Sequence, residues 1–339
     1  MLNKAYIDLS LLKENAISIR EKLPKGVKFC AVVKADAYGH GASVISNAIY
    51  NIVDCFAVAI IEEGIKLRQS GIDKDILVLI PPFNEDLEKS IFYNLTLTVE
   101  NKEQIEAIEK ECEKQKIKAK IHIKYDTGMN RLGLKGIENL KEVLQFSLKC
   151  KWIIVDGMFS HFANPKNKKS LTSAHDKFLL ANNLIKRYNN NITCHISASG
   201  GFLSGVYFDM VRVGLLLYGY KPFESDCVCV KPIMKVVAPI INQKILRAGE
   251  VALYGEKKAK VDHFVKLVRC GYADGFSRKD TGIFSKRCMD ASLYLGWGAD
   301  EEKEVTVMDD ADSAAKALGT ISYEILTKSA IRAEKIYIN

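Results

Sequence analysis

Eight short apolar runs recur along the first two thirds of the chain, and their alternation with helix-like stretches is what most constrains the fold. The runs are Phe29–Val33, Cys55–Ile60, Ile76–Ile80, Leu95–Val99, Ala119–Lys124, Ile153–Ser160, Ile192–Ser197 and Met210–Leu217. Between them the apolar spacing predicts helices over Ser43–Ile49, Glu62–Gln69, Glu85–Tyr93, Lys102–Gln115, Ile137–Leu148 and Ser173–Tyr188. Repeated strand–helix units imply a parallel sheet with right-handed crossovers. Eight of them suggest an α/β fold closed as a (β/α)8 barrel rather than an open sheet.

The pattern changes near Lys231. From there strands are predicted over Lys235–Ile241, Val251–Tyr254, Val261–Cys270, Ala291–Gly296, Glu304–Met308 and Ile321–Thr327, with one helix over Asp312–Leu318. A chain of 339 residues exceeds one ordinary core. The expected organisation is a barrel over 10–230 and a mostly-β domain over 231–339, with residues 1–9 joining the second.

Composition removes several function classes. No apolar stretch reaches the length of a membrane span. The start MLNKAYIDLS has no signal-peptide core, because Asp8 interrupts it. The nine cysteines are scattered, odd in number and mostly in strand-like runs, which fits reduced thiols in the cytoplasm. Cys227 and Cys229 lack the spacing of a zinc pair, so no metal site is expected. The net charge of +8 is spread over many helices rather than gathered in a basic stripe with aromatics, which argues against nucleic acid as a partner.

Active sites of such barrels lie at the C-terminal ends of the strands. The polar residues hardest to explain by packing gather there. Lys34 ends the first run, and burying its ammonium is costly unless it is paired or neutralised. A lysine there suits a Schiff base with an aldehyde. Lys124 ends the fifth run and leads to Arg131. Ser160 and His161 end the sixth, and His195, Ser197 and Ser199 end the seventh, before Gly200 and Gly201. Arg212 sits in the eighth, with Gly214 after it. Singly, each has a structural explanation: a snorkelling lysine, a satisfied core histidine, alternating strand positions. Five strands contributing to one rim is a pattern that packing alone does not predict.

An amine for an aldehyde, a phosphate cradle at Ser199–Gly201 and an arginine in an apolar strand are the outfit of a pyridoxal phosphate enzyme. An arginine facing the pyridine nitrogen cannot hand it a proton. The ring is then a weaker electron sink, which favours simple proton exchange over transamination. In the second domain, Tyr272 lies in the turn Gly271–Gly275 and could serve as a general acid–base.

With these residues in place, the chain resembles the alanine racemase family of fold-type III pyridoxal phosphate enzymes. The resemblance rests on VVKADAYGHG around Lys34, AVAIIEEGIKLRQSGI from Ala57, KYDTGMNRLG from Lys124, FSHFAN from Phe159, VRVGLLLYG from Val211, GYADGFSR from Gly271 and CMD at Cys288. It implies a cytoplasmic homodimer that interconverts L- and D-alanine by two-base proton transfer, supplying D-alanine for peptidoglycan. By position it implies that Lys34 holds pyridoxal 5'-phosphate and is the base on the D-alanine side, with Tyr272 opposite. Arg212 would face the pyridine nitrogen. Tyr38 and Ser199, helped by main-chain groups at Gly214 and Leu215, would bind the phosphate. Arg131 would contact the phenolic oxygen and the substrate carboxylate, which also meets the Met289 N–H. His161 would support Arg212 and Tyr272, and Lys124 matches a lysine often carbamylated. Tyr272 and Met289 would reach across a dimer interface.

The chain departs from the family pattern at Ala198, Val213, Glu256–Lys258 and Ile331. Other readings are a serine or broader-specificity racemase, a non-catalytic pyridoxal phosphate-binding barrel, and a barrel-type decarboxylase. The last calls for an acid rather than Arg212 at the ring nitrogen.

Overall fold

The computed structural model describes residues 2–255, 258–278, 283–296 and 302–339. The chain divides into two compact units. One comprises Lys13–Ala35 and Ala42–Val230, the other Met1–Leu12, Asp36–Gly41 and Lys231–Asn339.

The chain opens with strand β1 (Asn3–Asp8) and helix α1 (Leu9–Lys22), for which the sequence analysis offered no element. The barrel unit then follows as β2 (Lys28–Val32), α2 (Lys34–Tyr38), α3 (Ala42–Ala48), β3 (Cys55–Val58), α4 (Ile61–Gln69), β4 (Ile76–Val78), α5 (Leu87–Phe92), β5 (Leu97–Val99) and α6 (Lys102–Gln115). It continues with β6 (Ala119–Lys124), α7 (Ile137–Ser147), β7 (Ile153–Phe159), α8 (Lys168–Tyr188), β8 (Thr193–His195), α9 (Ser199–Leu203) and β9 (Met210–Val213). Each predicted run overlaps one of β2 to β9, in order.

Two parallel ladders, β4-β3-β2-β9 and β5-β6-β7-β8, form the wall. A parallel bridge between Leu77 and Thr96 joins them on one side. On the other, Asp209 N–H donates to Cys194 O at 2.9 Å and Arg212 N–H to Ser197 O at 3.0 Å. The sheet therefore closes. Helix α6 illustrates why the outer layer forms. Ile105, Ile108 and Cys112 recur on one face and are buried. Asn101 caps the start by accepting from Gln104 N–H, and Lys116 ends the helix in the left-handed region.

The second unit holds β10 (Met234–Leu246), β11 (His263–Val268), β12 (Ser292–Leu295), β13 (Glu304–Met308), α10 (Ala311–Leu318), α11 (Ser322–Ser329) and β14 (Ala333–Ile338). Its sheet runs β12-β11-β10-β1-β14, with β13 also on β10. Strand β1 lies antiparallel to β10 and parallel to β14, and its alternate residues Asn3, Ala5 and Ile7 are buried.

Two expectations fail here. Ile321–Thr327 is not a strand but the start of α11. Its Ile, Tyr and Thr favour a strand, yet Leu326, Ser329 and Ala330 are buried at helical spacing, and Glu324 pairs with Lys328 one turn on. Val251–Tyr254 is not a regular strand either: Val251 makes one isolated bridge to Lys258. Of the family departures, Glu256 and Lys257 lie outside the described residues. No helix among the described residues is long and apolar enough to cross a membrane.

Candidate active site

Lys34 lies one residue beyond the end of β2 and is half-buried. Burial pushes its pKa below the usual lysine range, and the charges of Arg131 and Arg212 push the same way against Glu63. Glu63 also shapes the loops around it, accepting from Ala35 N–H at 2.6 Å and Ala59 N–H at 2.7 Å. After Lys34 the backbone changes hand. Ala35, Asp36, Ala37 and Tyr38 all have φ between 50° and 55°, a left-handed turn built without glycine. At about 1–2 kcal/mol per residue, the turn carries about 4–8 kcal/mol of local strain. His40 holds its carbonyl end: Nδ1 lies 2.8 Å from Ala37 O and 3.1 Å from Tyr38 O, so Nδ1 must carry the proton and donate.

Arg212 is almost fully buried in β9. Among the described residues it makes no ion pair. Its donors go instead to Ser160 O at 2.7 Å, Ile196 O at 3.2 Å, His195 O at 3.3 Å and His195 Nδ1, with His161 Nδ1 at 3.4 Å. Burial lowers its pKa to about 10, so it stays charged at neutral pH. His161 and His195 are both held well below the usual histidine range by burial and then by Arg212, and remain neutral.

Lys124 is buried at the end of β6, with Nζ 3.9 Å above the Phe159 ring. Its Nζ forms no hydrogen bond or ion pair among the described residues. Burial, then Arg212 and Arg131, push its pKa well down. Arg131 is exposed in a loop shaped by Asp126, whose carboxylate accepts from the N–H groups of Gly128, Met129 and Asn130 at 2.9, 2.9 and 3.0 Å. Thr127 and Ser160 tie this loop to the end of β7 through their hydroxyls, 2.9 Å apart.

Ser199 begins α9, and its Oγ lies 3.5 Å from Leu216 N in the short 3-10 turn Leu215–Tyr218. The starts of two helical turns thus meet at one hydroxyl, which accepts from the Leu216 N–H. Ser197 is not available for binding, since its hydroxyl donates to Val206 O at 2.6 Å.

The barrel rim therefore gathers Lys34, Lys124, Arg131 and Arg212 with neutral His161. This excess of positive charge fits a doubly anionic phosphate and a carboxylate, and the Ser199–Leu216 corner fits the phosphate. Sequence reasoning missed His122, which lies behind His195. Its place two residues before Lys124 on β6 is the signal that could have found it, because alternate strand residues share a face.

The remaining predicted residues belong to the second unit. Tyr38 is buried there, its ring centroid 5.7 Å from that of Tyr323, and burial raises its pKa. Tyr272 and Met289 are both exposed, at 44% and 55%. Their two segments are tied through the backbone: Tyr272 N–H donates to Cys288 O at 3.1 Å and Ala273 N–H to Met289 O at 3.0 Å. Gly271 makes this approach feasible, since a Cβ there would stand 2.0 Å from Met289 O. Buried Asp274 accepts from Gly271 N–H at 2.8 Å and faces Arg332, which also pairs with Asp290 at 2.8 Å. Among the described residues, no group of three or more His, Cys, Asp or Glu is placed to hold a metal.

Comparison with known proteins gives the same family from end to end. Residues 7–222 match the family model of the alanine racemase N-terminal domain and residues 233–337 that of the C-terminal domain. The alanine racemase of Streptococcus uberis is 30% identical, over 99% of this chain and 97% of its own. The solved alanine racemase of Clostridium difficile 630 is 31% identical with a TM-score of 0.94, covering 100% of this chain and 96% of that one. The alanine racemase of Bacillus anthracis, solved with bound L-Ala-P, is 26% identical with a TM-score of 0.92, covering 99% and 95%. The chain belongs to the alanine racemase family.

Proposed function

We propose that this protein is an alanine racemase, interconverting L- and D-alanine with pyridoxal 5'-phosphate. The observation that carries the reading is Arg212, a charged donor pinned in the barrel by carbonyls and neutral histidines, with no acid paired to it among the described residues. When bound through Lys34, the cofactor withdraws electron density from the substrate α-carbon and so acidifies its C–H bond. Arg212 would donate to the pyridine nitrogen without giving up its proton, which would limit that withdrawal and favour prompt return of the proton.

Each other residue has a defined task. Lys34, whose pKa burial lowers, takes the α-proton on the D-alanine side. Tyr272 holds or delivers the proton at its hydroxyl on the opposite face, since one base cannot serve both faces without moving. Ser199, Tyr38 and the main-chain N–H groups at Gly214 and Leu215 bind the phosphate. Arg131 and the Met289 N–H orient the carboxylate. His161 steadies Arg212 and Tyr272. A neutral amine is the form that reacts with carbon dioxide, burial pushes Lys124 towards that form, and a carbamate there would place an anion beside Arg131.

Tyr272 and Met289 serve the site of a second copy, which makes the active form a cytoplasmic homodimer. Their exposure and mutual tethering support this. The barrel, residues 10–230, is the cofactor-binding domain, and residues 231–339 with 1–9 form the domain that completes the other copy's site. D-alanine for peptidoglycan is the product use this reading implies. Chiral analysis after incubation of the protein and cofactor with a panel of amino acids tests it. Alanine should racemise fastest; faster turnover of serine, or bound cofactor with no racemisation, overturns it.

A further inference from the structure

Behind Arg212 a line of hydrogen bonds runs away from the barrel rim. Arg212 faces His195 Nδ1, His195 Nε2 lies 2.9 Å from His122 Nδ1, and His122 Nε2 lies 3.3 Å from Asp156 Oδ2. A guanidinium has donors only, so His195 Nδ1 must accept. A neutral His195 then carries its proton on Nε2 and donates to His122 Nδ1. That leaves the His122 proton on Nε2, aimed at Asp156. The donor-only guanidinium at one end and the acceptor-only carboxylate at the other thus demand the same direction for every bond in the line.

Two local features build this arrangement. The β6–β7 register slips between Ile121 and His122, whose partners are Val155 and Gly157, so Asp156 is the extra residue of a β-bulge. Bulges re-aim side chains. The His122 ring also lies against Gly157, where a Cβ would come within 2.5 Å of the ring. Phe159 completes the packing, stacked on His195 with ring centroids 5.1 Å apart and planes 6° apart. Asp156 and His122 also line a cavity of about 90 Å³ with Lys28, Cys55, Thr193 and Met210, the first residues of their strands. The line thus joins the rim to the N-terminal mouth of the barrel.

We infer that Asp156 and His122 are positioning residues for Arg212: Asp156 fixes the tautomer of His122, and through it that of His195, so that Arg212 keeps one orientation. The inference rests on the proposed function only for what Arg212 then faces.

Neutron crystallography of the cofactor-free protein reads the proton positions directly. Protons on Nε2 of both His195 and His122 are expected; a proton on Nδ1 of either overturns the inference, whatever the activity. Two variants of the holoenzyme carry the argument to turnover. Asp156→Ala should lower kcat about tenfold to a hundredfold, as loss of an outer partner does elsewhere, with KM changed less than about threefold. Asp156→Asn, which keeps an acceptor for His122, should recover most of that loss. Equal losses in both variants, or none in Asp156→Ala, overturn it. Thermal melting of the cofactor-free variants should match the wild type, and a fall that parallels kcat would instead mark a structural role and overturn it. A wild type without racemase activity would count against the proposed function and leave the proton positions to decide this inference.

Discussion

Acid should weaken this protein through His40 by an amount that can be worked out. The ring is fully buried, and burial pushes its pKa from 6.5 down to about 4. Above pH 6.5 neither the folded nor the unfolded chain protonates it, and its contribution to stability is fully present. As pH falls from 6.5 towards 4, the unfolded chain binds the proton first, and that contribution is lost. At about 1.4 kcal/mol per pKa unit the full loss is about 3 kcal/mol, of which about 2 kcal/mol has gone by about pH 5. His40→Asn keeps an N–H donor near the position of Nδ1 and removes the titration. Urea unfolding of cofactor-free wild type and variant, at one protein concentration, gives the comparison. Between about pH 7.5 and about pH 5 the wild type should lose about 2 kcal/mol more than the variant, and a difference under about 0.5 kcal/mol refutes the reasoning.

Other outcomes follow from the site. Mixing and reassembling Lys34→Ala with Tyr272→Phe, each inactive alone, should restore about a quarter of wild-type activity, because half of the dimers would carry one intact shared site. No recovery would place both bases within one chain. Growth of a carbon-13 carbamate signal in labelled bicarbonate should be seen in the wild type and be absent in Lys124→Ala; its absence from both removes the carbamate. Gly271→Ala forces a Cβ against the Met289 carbonyl and should cost about 1–3 kcal/mol of stability, together with at least a tenfold loss of kcat. Unchanged kinetics would show that the tie between Tyr272 and Met289 is dispensable.

The barrel was legible because its strands are short, apolar and evenly spaced, so each run announced itself locally. Lys34, Arg212 and Lys124 were legible for a related reason: a cation beside apolar strand residues conflicts with burial, and such conflict marks chemistry. The strand error at Ile321–Thr327 arose because β-branched and aromatic residues dominate a segment whose burial pattern is helical. Strands β1 and β14 pair with each other from opposite ends of the chain, a relation that local pattern does not carry. Asp156 and Gly157 were invisible because their meaning depends on register. One slipped residue turns an ordinary strand aspartate toward His122, and no single-strand pattern reports a slip between two strands.

The left-handed turn after Lys34 makes chirality itself a variable of this protein. Mirror-image residues find that region as comfortable as ordinary residues find the right-handed helix. Assembly of the chain by chemical ligation with D-alanine at positions 35 and 37 should therefore stabilise the fold by about 2–4 kcal/mol, while leaving the side-chain inventory unchanged. A member of a family whose reaction inverts amino-acid handedness would thus be firmer for two inverted residues of its own, placed beside Lys34, the proposed base.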